Sequence, residues 1–207
     1  GTIRLDGETV QIRTTQDALK AGISTVYQEI TLCPNLTVAE NMYIGRTKGA
    51  WTNWRKMNAD AKKLLDSLDI PASPTQQLSN CSIAVQQMVA IARAVDMDCK
   101  VLILDEPTSS LDEQEVEKLF KLMLELKSRG VGIIFVTHFL DQVYAVCDRI
   151  TVLRDGKLEG EYQIADLPRV QLVSKMLGKE MDDLSDIKRT EEHFDGGDQP
   201  PVYEAEQ

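Results

Sequence analysis

Histidine and closely spaced cysteine are scarce in this chain of 207 residues. It has two His and four Cys, and no two of the cysteines form a C-x₂-C pair. A zinc centre needs such neighbouring ligands, so the sequence argues against one and favours reduced cytosolic thiols. Apolar runs of about 18 residues and a signal-peptide pattern are also missing, so we expect a chain that neither spans nor crosses a membrane by itself.

Positive charge and aromatic residues are likewise in short supply. Lys and Arg total 23 against 33 Asp and Glu, which gives a formal net charge of −10, and aromatic residues make up 5%. A nucleic-acid groove requires a basic face, so these numbers argue against a nucleic-acid partner. A small phosphate-bearing ligand is compatible with them, because a few backbone N–H groups can bind phosphate within an acidic protein.

The most informative segment is residues 101–112, which read VLILDEPTSSLD. Four apolar residues predict a buried parallel strand, and the carboxyl end of such a strand is where an open α/β sheet binds ligands. Asp105 and Glu106 follow directly, which suits a Mg²⁺-nucleotide site with one carboxylate for the metal and the next for a water. Taken alone, the segment is also compatible with a strand that ends in a solvated acidic turn.

Periodicity and capping residues predict an α/β chain. Capping boxes at Thr37/Glu40 and Asp112/Glu115 begin two helices, Asn58 precedes another, and Ser82 precedes a fourth. After Gly178 the chain becomes acidic and weakly apolar, which is typical of a linker or disordered tail. The predicted strands cover 2–5, 9–12, 23–27, 100–104, 131–137, 150–153 and 157–162, and the remaining helices cover 16–20, 140–146 and 167–177.

Five motifs stand in a fixed order along this pattern. They are TVYQE at 25–29 (Q-loop), CSIAVQQ at 81–87 (signature), VLILDEP at 101–107 (Walker B), SLD at 110–112 (D-loop) and VTH at 136–138 (H-switch). With these motifs the chain resembles the nucleotide-binding domain of ABC transporter ATPases. More narrowly, it resembles the first half of the tandem ATPases of bacterial monosaccharide importers, of the ribose, galactose or xylose type.

The resemblance extends to about residue 180 and implies a domain organisation. A P-loop NTPase-like ATPase core, incomplete at its N-terminus, would comprise 1–31 and 98–177. An inserted helical subdomain carrying the signature would comprise 32–97, and an acidic linker or tail 178–207. The helical subdomain would meet a coupling helix of the membrane partner, with Trp51 and Trp54 near that contact or in packing of their own.

The resemblance also implies catalytic roles. Asp105 would hold Mg²⁺ through its water shell, and Glu106 would act as general base or orient the attacking water. His138 would hydrogen-bond the γ-phosphate, although a single His more often has no such role. Gln28 would sense Mg²⁺ and the γ-phosphate, a role that rests wholly on the resemblance.

A second group of residues would contact ATP bound to an opposing ATPase domain. Ser82 stands at a helix N-terminus, where unpaired N–H groups favour an anion. Ile83 and Ala84 replace the two glycines that usually follow this serine, a frequent variant among the monosaccharide importers. Asp112 would both cap its helix and touch the opposing half. Ordinary capping roles for Ser82 and Asp112 are compatible with these.

The Walker A pattern G-x-x-x-x-G-K-[ST], which supplies the phosphate cradle, occurs nowhere in the sequence. We therefore expect a fragment of an ordinary ATPase that binds and hydrolyses ATP poorly by itself. The alternative is a non-catalytic ABC-like interaction module that complements another ATPase domain. A soluble ABC protein acting on ribosomes or DNA is a third class, which the acidic charge disfavours.

The implied cofactors are ATP and Mg²⁺. The implied partners are transmembrane permease subunits, a second ABC ATPase domain (fused or separate) and a periplasmic or extracellular sugar-binding protein, with no nucleic acid. Such a subunit would lie peripherally on the cytoplasmic side of the cell membrane.

Overall fold

A parallel three-stranded sheet is the centre of the first of two units in the computed structural model, which describes residues 1–29, 31–46 and 53–177. The first unit covers Gly1–Phe139 and the second begins at Leu140. Trp51 and the expected tail at 178–207 lie outside the described residues. Within the described ranges, every helix is too short or too polar to cross a membrane.

Seven strands and seven α-helices make up the described chain. The strands are β1 (Ile3–Leu5), β2 (Glu8–Val10), β3 (Ile23–Val26), β4 (Val101–Asp105), β5 (Gly132–Val136), β6 (Arg149–Arg154) and β7 (Lys157–Gln163). The helices are α1 (Thr15–Ala21), α2 (Val38–Tyr43), α3 (Trp54–Ser67), α4 (Ile83–Val95), α5 (Glu113–Ser128), α6 (Leu140–Val146) and α7 (Arg169–Leu177), with short 3₁₀ helices at Leu78–Asn80 and Ile164–Asp166.

Strand β4 lies in the middle of the parallel sheet, as its apolar sequence predicts. The order is β3-β4-β5, and Leu104 pairs with Val26 on one side and Phe135 on the other. Leu102 and Leu104 are fully buried on one face of the sheet. On the other face, Ile134 keeps 51% of its surface exposed. The sheet is therefore covered on one side only within the described residues.

Helices α2, α3 and α4 form the segment between β3 and β4. Ser82 caps α4 and Thr37 caps α2, both as predicted. The predicted start of α3 after Asn58 is wrong, because the helix begins at Trp54. The Asn53 side chain accepts a hydrogen bond from Lys56 N at 3.0 Å, so the earlier asparagine supplies the cap.

The second unit contains the predicted closing hairpin. Strands β6 and β7 pair antiparallel around the Asp155-Gly156 turn. Val152, Leu167 and Leu172 form its buried cluster, and the Tyr144 hydroxyl donates to Leu167 O at 2.6 Å.

The capping box of α2 leads to a stability prediction. The Glu40 carboxylate accepts hydrogen bonds from Thr37 Oγ1 and Thr37 N, both at 2.7 Å, and these bonds hold the pKa of Glu40 below its ordinary value of 4.5. Thr37→Ala should lower the free energy of unfolding by about 1 kcal/mol at neutral pH. Because the pKa of Glu40 is lower in the folded state, the stabilisation from its ionised carboxylate is fully present at pH values above its ordinary pKa. It is lost as the pH falls through the lowered pKa of the folded state. Urea unfolding of both proteins at pH 7 and pH 3 checks this, and an equal deficit at both values would contradict it.

Candidate active site

Three parallel strands deliver their C-terminal residues to one edge of the sheet. Asp105 ends β4 and pairs in register with Val136, two residues before His138. Gln28 follows the end of β3 by two residues and is exposed. The predicted residues Gln28, Asp105, Glu106 and His138 therefore share the edge at which α/β sheets bind ligands.

Glu106 has an unusual backbone conformation. Its φ is 44°, in the left-handed region that non-glycine residues seldom adopt. Glu106 N still donates to Val136 O at 2.9 Å, and Ser109 N donates to Glu106 O at 3.3 Å, so neighbouring structure holds the turn on both sides. Such conformations cost of order 1–3 kcal/mol and cluster at active sites. The backbone bonds on both sides therefore hold Glu106 in one conformation at the end of β4.

Glu106 and His138 form a direct side-chain pair. Glu106 Oε1 lies 3.2 Å from His138 Nδ1, with 31% of the Glu106 side chain and 61% of the His138 side chain exposed. An ionised carboxylate only accepts hydrogen bonds, so the imidazole donates from Nδ1. Nε2 is then left for a ligand. The pair has the geometry of a general base oriented by a second group.

Phe139 adds a contact that the sequence analysis missed. Its ring lies 4.1 Å from the His138 ring, centroid to centroid, with 35° between the planes. Phe139 N donates to Thr137 Oγ1 at 3.1 Å, which fixes the turn after β5. The sequence feature that could have predicted this contact is the aromatic residue directly after the His of the motif.

Ser82 begins α4 with an exposed hydroxyl. Its Oγ accepts from Val85 N at 3.4 Å, so the O–H can still donate. Ile83 is 50% exposed, whereas Ala84 is buried at 2%, so Ala84 can reach a ligand through its backbone only. Partial burial raises the pKa of the preceding Cys81 thiol.

Asp112 caps α5 in the predicted capping box. Its carboxylate accepts from Glu115 N at 2.8 Å, and Asp112 N donates to the Glu115 carboxylate at 3.4 Å. Both Ser82 and Asp112 thus bond to their own helices rather than to Asp105, Glu106 or His138. The structure places Asp105, Glu106 and His138 at one edge of the sheet. The roles of these residues stay predictions, as do those of Ser82, Ile83, Ala84 and Asp112 toward ATP.

The carboxylates at the sheet edge fit magnesium better than a metal that needs many protein ligands. Mg²⁺ takes one or two carboxylates and keeps several waters, which Asp105, half-buried at the end of β4, can satisfy. Among the described residues, no three His, Cys, Asp or Glu side chains group closely enough to hold a metal ion.

The fold is that of an ATP-binding cassette, as the likeness to solved structures shows. The ADP conformation of MJ1267, an ATP-binding cassette of an ABC transporter, matches with a TM-score of 0.73 over 86% of this chain and 75% of its own, at 20% identity. A dimeric post-hydrolysis state of the ATP-binding cassette MJ0796, bound to ADP and phosphate, matches with a TM-score of 0.62 over 77% and 72%, at 26% identity. The predicted fold class is confirmed.

Residues 1–109 match the family model described as ABC transporter, and the chain belongs to that family, whose members bind ATP. It is 50% identical to the galactofuranose transporter ATP-binding protein YtfR of Escherichia coli K12, over 88% of this chain and 37% of the relative. It is 46% identical to the fructose import ATP-binding protein FruK of Bifidobacterium longum, over 98% and 40%. The chain thus spans about two fifths of the length of these relatives. The predicted resemblance is confirmed.

Proposed function

We propose that the chain is part of the ATP-hydrolysing subunit of a bacterial importer for monosaccharides. The observation that carries this proposal is the Glu106–His138 pair beside Asp105 at the ligand edge, which is equipped for water activation. The names of similar proteins support the sugar class, since they include import ATP-binding proteins for fructose, galactose, ribose and arabinose.

In this mechanism Glu106 orients and deprotonates the water that attacks the γ-phosphate. The left-handed backbone at Glu106 and its bond to His138 hold the carboxylate in place. His138, with a hydrogen on each ring nitrogen, donates from Nδ1 to Glu106 and from Nε2 to the γ-phosphate. Asp105 would hold Mg²⁺ through coordinated water, and the ion would supply charge neutralisation at the phosphates. Gln28, at the same edge, senses Mg²⁺ and the γ-phosphate and relays the result to the membrane partner.

The second part of the site serves an opposing ATPase domain. Ser82, with the backbone of Ile83 and Ala84, presents a hydroxyl and the N-terminus of the 13-residue helix α4, which together favour a phosphate. Asp112 contacts the same partner. The partners are a second ABC domain, permease subunits and an extracytoplasmic sugar-binding protein, with this subunit peripheral at the cytoplasmic face of the membrane.

The test is reconstituted transport. The full-length gene product, its permease subunits and the sugar-binding protein are placed in liposomes, and uptake of labelled galactose, ribose, fructose and arabinose is measured. We expect uptake of at least one sugar with ATP and Mg²⁺. Removal of Mg²⁺ with EDTA, or replacement of ATP by a non-hydrolysable analogue, should abolish it.

Two other results would contradict the proposed function and point to a different one. A protein that hydrolyses no ATP, yet restores turnover to another ATPase domain through Ser82 and Asp112, would be the non-catalytic interaction module. Salt-sensitive RNA binding with no transport would instead indicate a ribosome- or nucleic-acid-linked ABC protein.

A further inference from the structure

Asn41 is a fully buried polar side chain that ties two segments together. It lies on α2 with 0% of its surface exposed. Its Oδ1 accepts from Cys33 N at 2.7 Å, and its Nδ2 lies 2.9 Å from Cys33 O, 3.0 Å from Thr37 O and 3.4 Å from Leu36 O. The side chain therefore holds both backbone polar groups of Cys33, eight residues away.

The segment held by Asn41 continues directly from Gln28. Cys33 is the fifth residue after Gln28, so the loop that leaves the sheet edge has its far end fixed on α2. Cys33 itself is exposed. Without Asn41, Cys33 N would lose this partner, and Cys33 O would keep the 3.2 Å bond from Leu36 N.

Beyond Cys33, the chain forms a ladder with the segment that leads to Ser82. Leu78 N donates to Leu36 O and Ser79 N to Pro34 O, both at 3.0 Å, and Val38 N donates to Gln76 O at 2.9 Å. The 3₁₀ helix Leu78–Asn80 then carries the chain to Cys81, whose carbonyl accepts from Gln86 Nε2 at 3.0 Å. We define the coupling ladder as residues 33–39 together with 74–81.

We propose that Asn41 is a positioning residue that couples the loop after Gln28 to the start of α4 at Ser82. The inference rests on the proposed function of those two residues. Hydrogen bonds connect every step from Cys33 to Ser82, and Asn41 is the buried side chain that sets the first step. A shift in the Gln28 loop is thereby transmitted to the residue that faces the opposing ATPase domain.

Native-state hydrogen exchange of the unmodified full-length protein tests the ladder without ATP. Peptides covering 31–37 and 77–85 should exchange in one cooperative opening, with the same dependence on denaturant. Exchange of the two peptides in separate steps with different denaturant dependence would overturn the proposal. This measurement does not depend on any variant being folded.

A matched pair of variants tests transmission. Asn41→Ala removes the hydrogen bonds to Cys33, and Met42→Ala truncates an equally buried side chain of the same helix while leaving those hydrogen bonds in place. We expect Asn41→Ala to speed exchange in both 31–37 and 77–85 at least about tenfold relative to Met42→Ala. Faster exchange in 31–37 with unchanged exchange in 77–85 would show that the signal stops at the loop and would overturn the coupling.

The functional readout uses the assembled importer. Asn41→Ala should lower transport-coupled kcat by about tenfold while changing KM for ATP less than about twofold, since Asn41 is fully buried and its side chain bonds to backbone groups of its own subdomain. Met42→Ala should leave both within about twofold of wild type. If the wild-type protein had no ATPase activity, the proposed function would be disproved. The exchange data would still show whether the two segments of the coupling ladder open together. Wild-type activity with an unchanged kcat in Asn41→Ala would disprove the coupling alone.

Discussion

Glu106→Gln should bind ATP with Mg²⁺ nearly as well as the wild-type protein and hydrolyse it about 10²–10⁴-fold more slowly. The substitution keeps the length of the side chain and its ability to lie next to His138 Nδ1. What it removes is the charge that, in the proposed mechanism, accepts a proton from the attacking water. Ground-state binding is retained because the phosphates interact with other groups, so the loss falls on kcat rather than on affinity.

The experiment compares single-turnover hydrolysis and equilibrium ATP binding in the full-length gene product. Glu117→Gln is the matched control, because Glu117 is an exposed carboxylate in the second turn of α5 with no proposed role in catalysis. The control should behave like wild type in both assays. Hydrolysis by Glu106→Gln at the wild-type rate would remove Glu106 from the role of base. Loss of ATP binding in Glu106→Gln would instead show that Glu106 contributes to the binding of ATP before hydrolysis.

Local sequence patterns predicted the central elements because their signals are short-range. Strand β4 follows from a run of four apolar residues, and the starts of α2, α4 and α5 follow from capping residues that bond three positions along. The start of α3 was misplaced because two asparagines, Asn53 and Asn58, both fit an N-cap, and only the backbone geometry selects the first. Competing caps of equal chemistry are not separable by pattern alone.

The candidate site divides in the same way. The order of the motifs places Asp105, Glu106 and His138 at strand ends, and the parallel register then brings them to one edge. The left-handed backbone of Glu106 could not be predicted, because nothing in the residue type calls for it. The contacts of Asn41 with Cys33 and of Phe139 with His138 also escaped prediction, since they depend on how side chains pack rather than on spacing.

The residues proposed for catalysis and those proposed to contact an opposing domain are held in place by different kinds of contact. Glu106 and His138 are fixed by each other across two adjacent strands, so their geometry is complete within one unit of the chain. Ser82 and Asp112 are fixed only by the starts of their own helices, and each remains exposed. In the proposed function, Ser82 and Asp112 act only on contact with the opposing domain, so the proposed connection from Gln28 to Ser82 would link the two halves.

Asp105→Asn should weaken magnesium-dependent ATP binding rather than slow the hydrolysis of ATP that is already bound. Asp105 ends β4 beside Glu106, and the substitution removes the carboxylate that we propose to anchor the water shell of the ion. Residues that act on a metal through such outer contacts are worth about 10–100-fold in metal affinity, so the Mg²⁺ concentration for half-maximal ATP binding should rise by that factor.

Magnesium titrations of ATP binding provide the measurement, with Asp155→Asn as control. Asp155 lies in the turn of the β6–β7 hairpin with a φ of 50°, a conformation that Asn tolerates, so the same charge is removed without disturbing the fold. The control should titrate like wild type. At saturating Mg²⁺, Asp105→Asn should recover much of its ATP binding, whereas Glu106→Gln should remain slow at any Mg²⁺ concentration. If Asp105→Asn showed the magnesium dependence of wild type, other groups would hold the ion, and Asp105 would have no role in binding it.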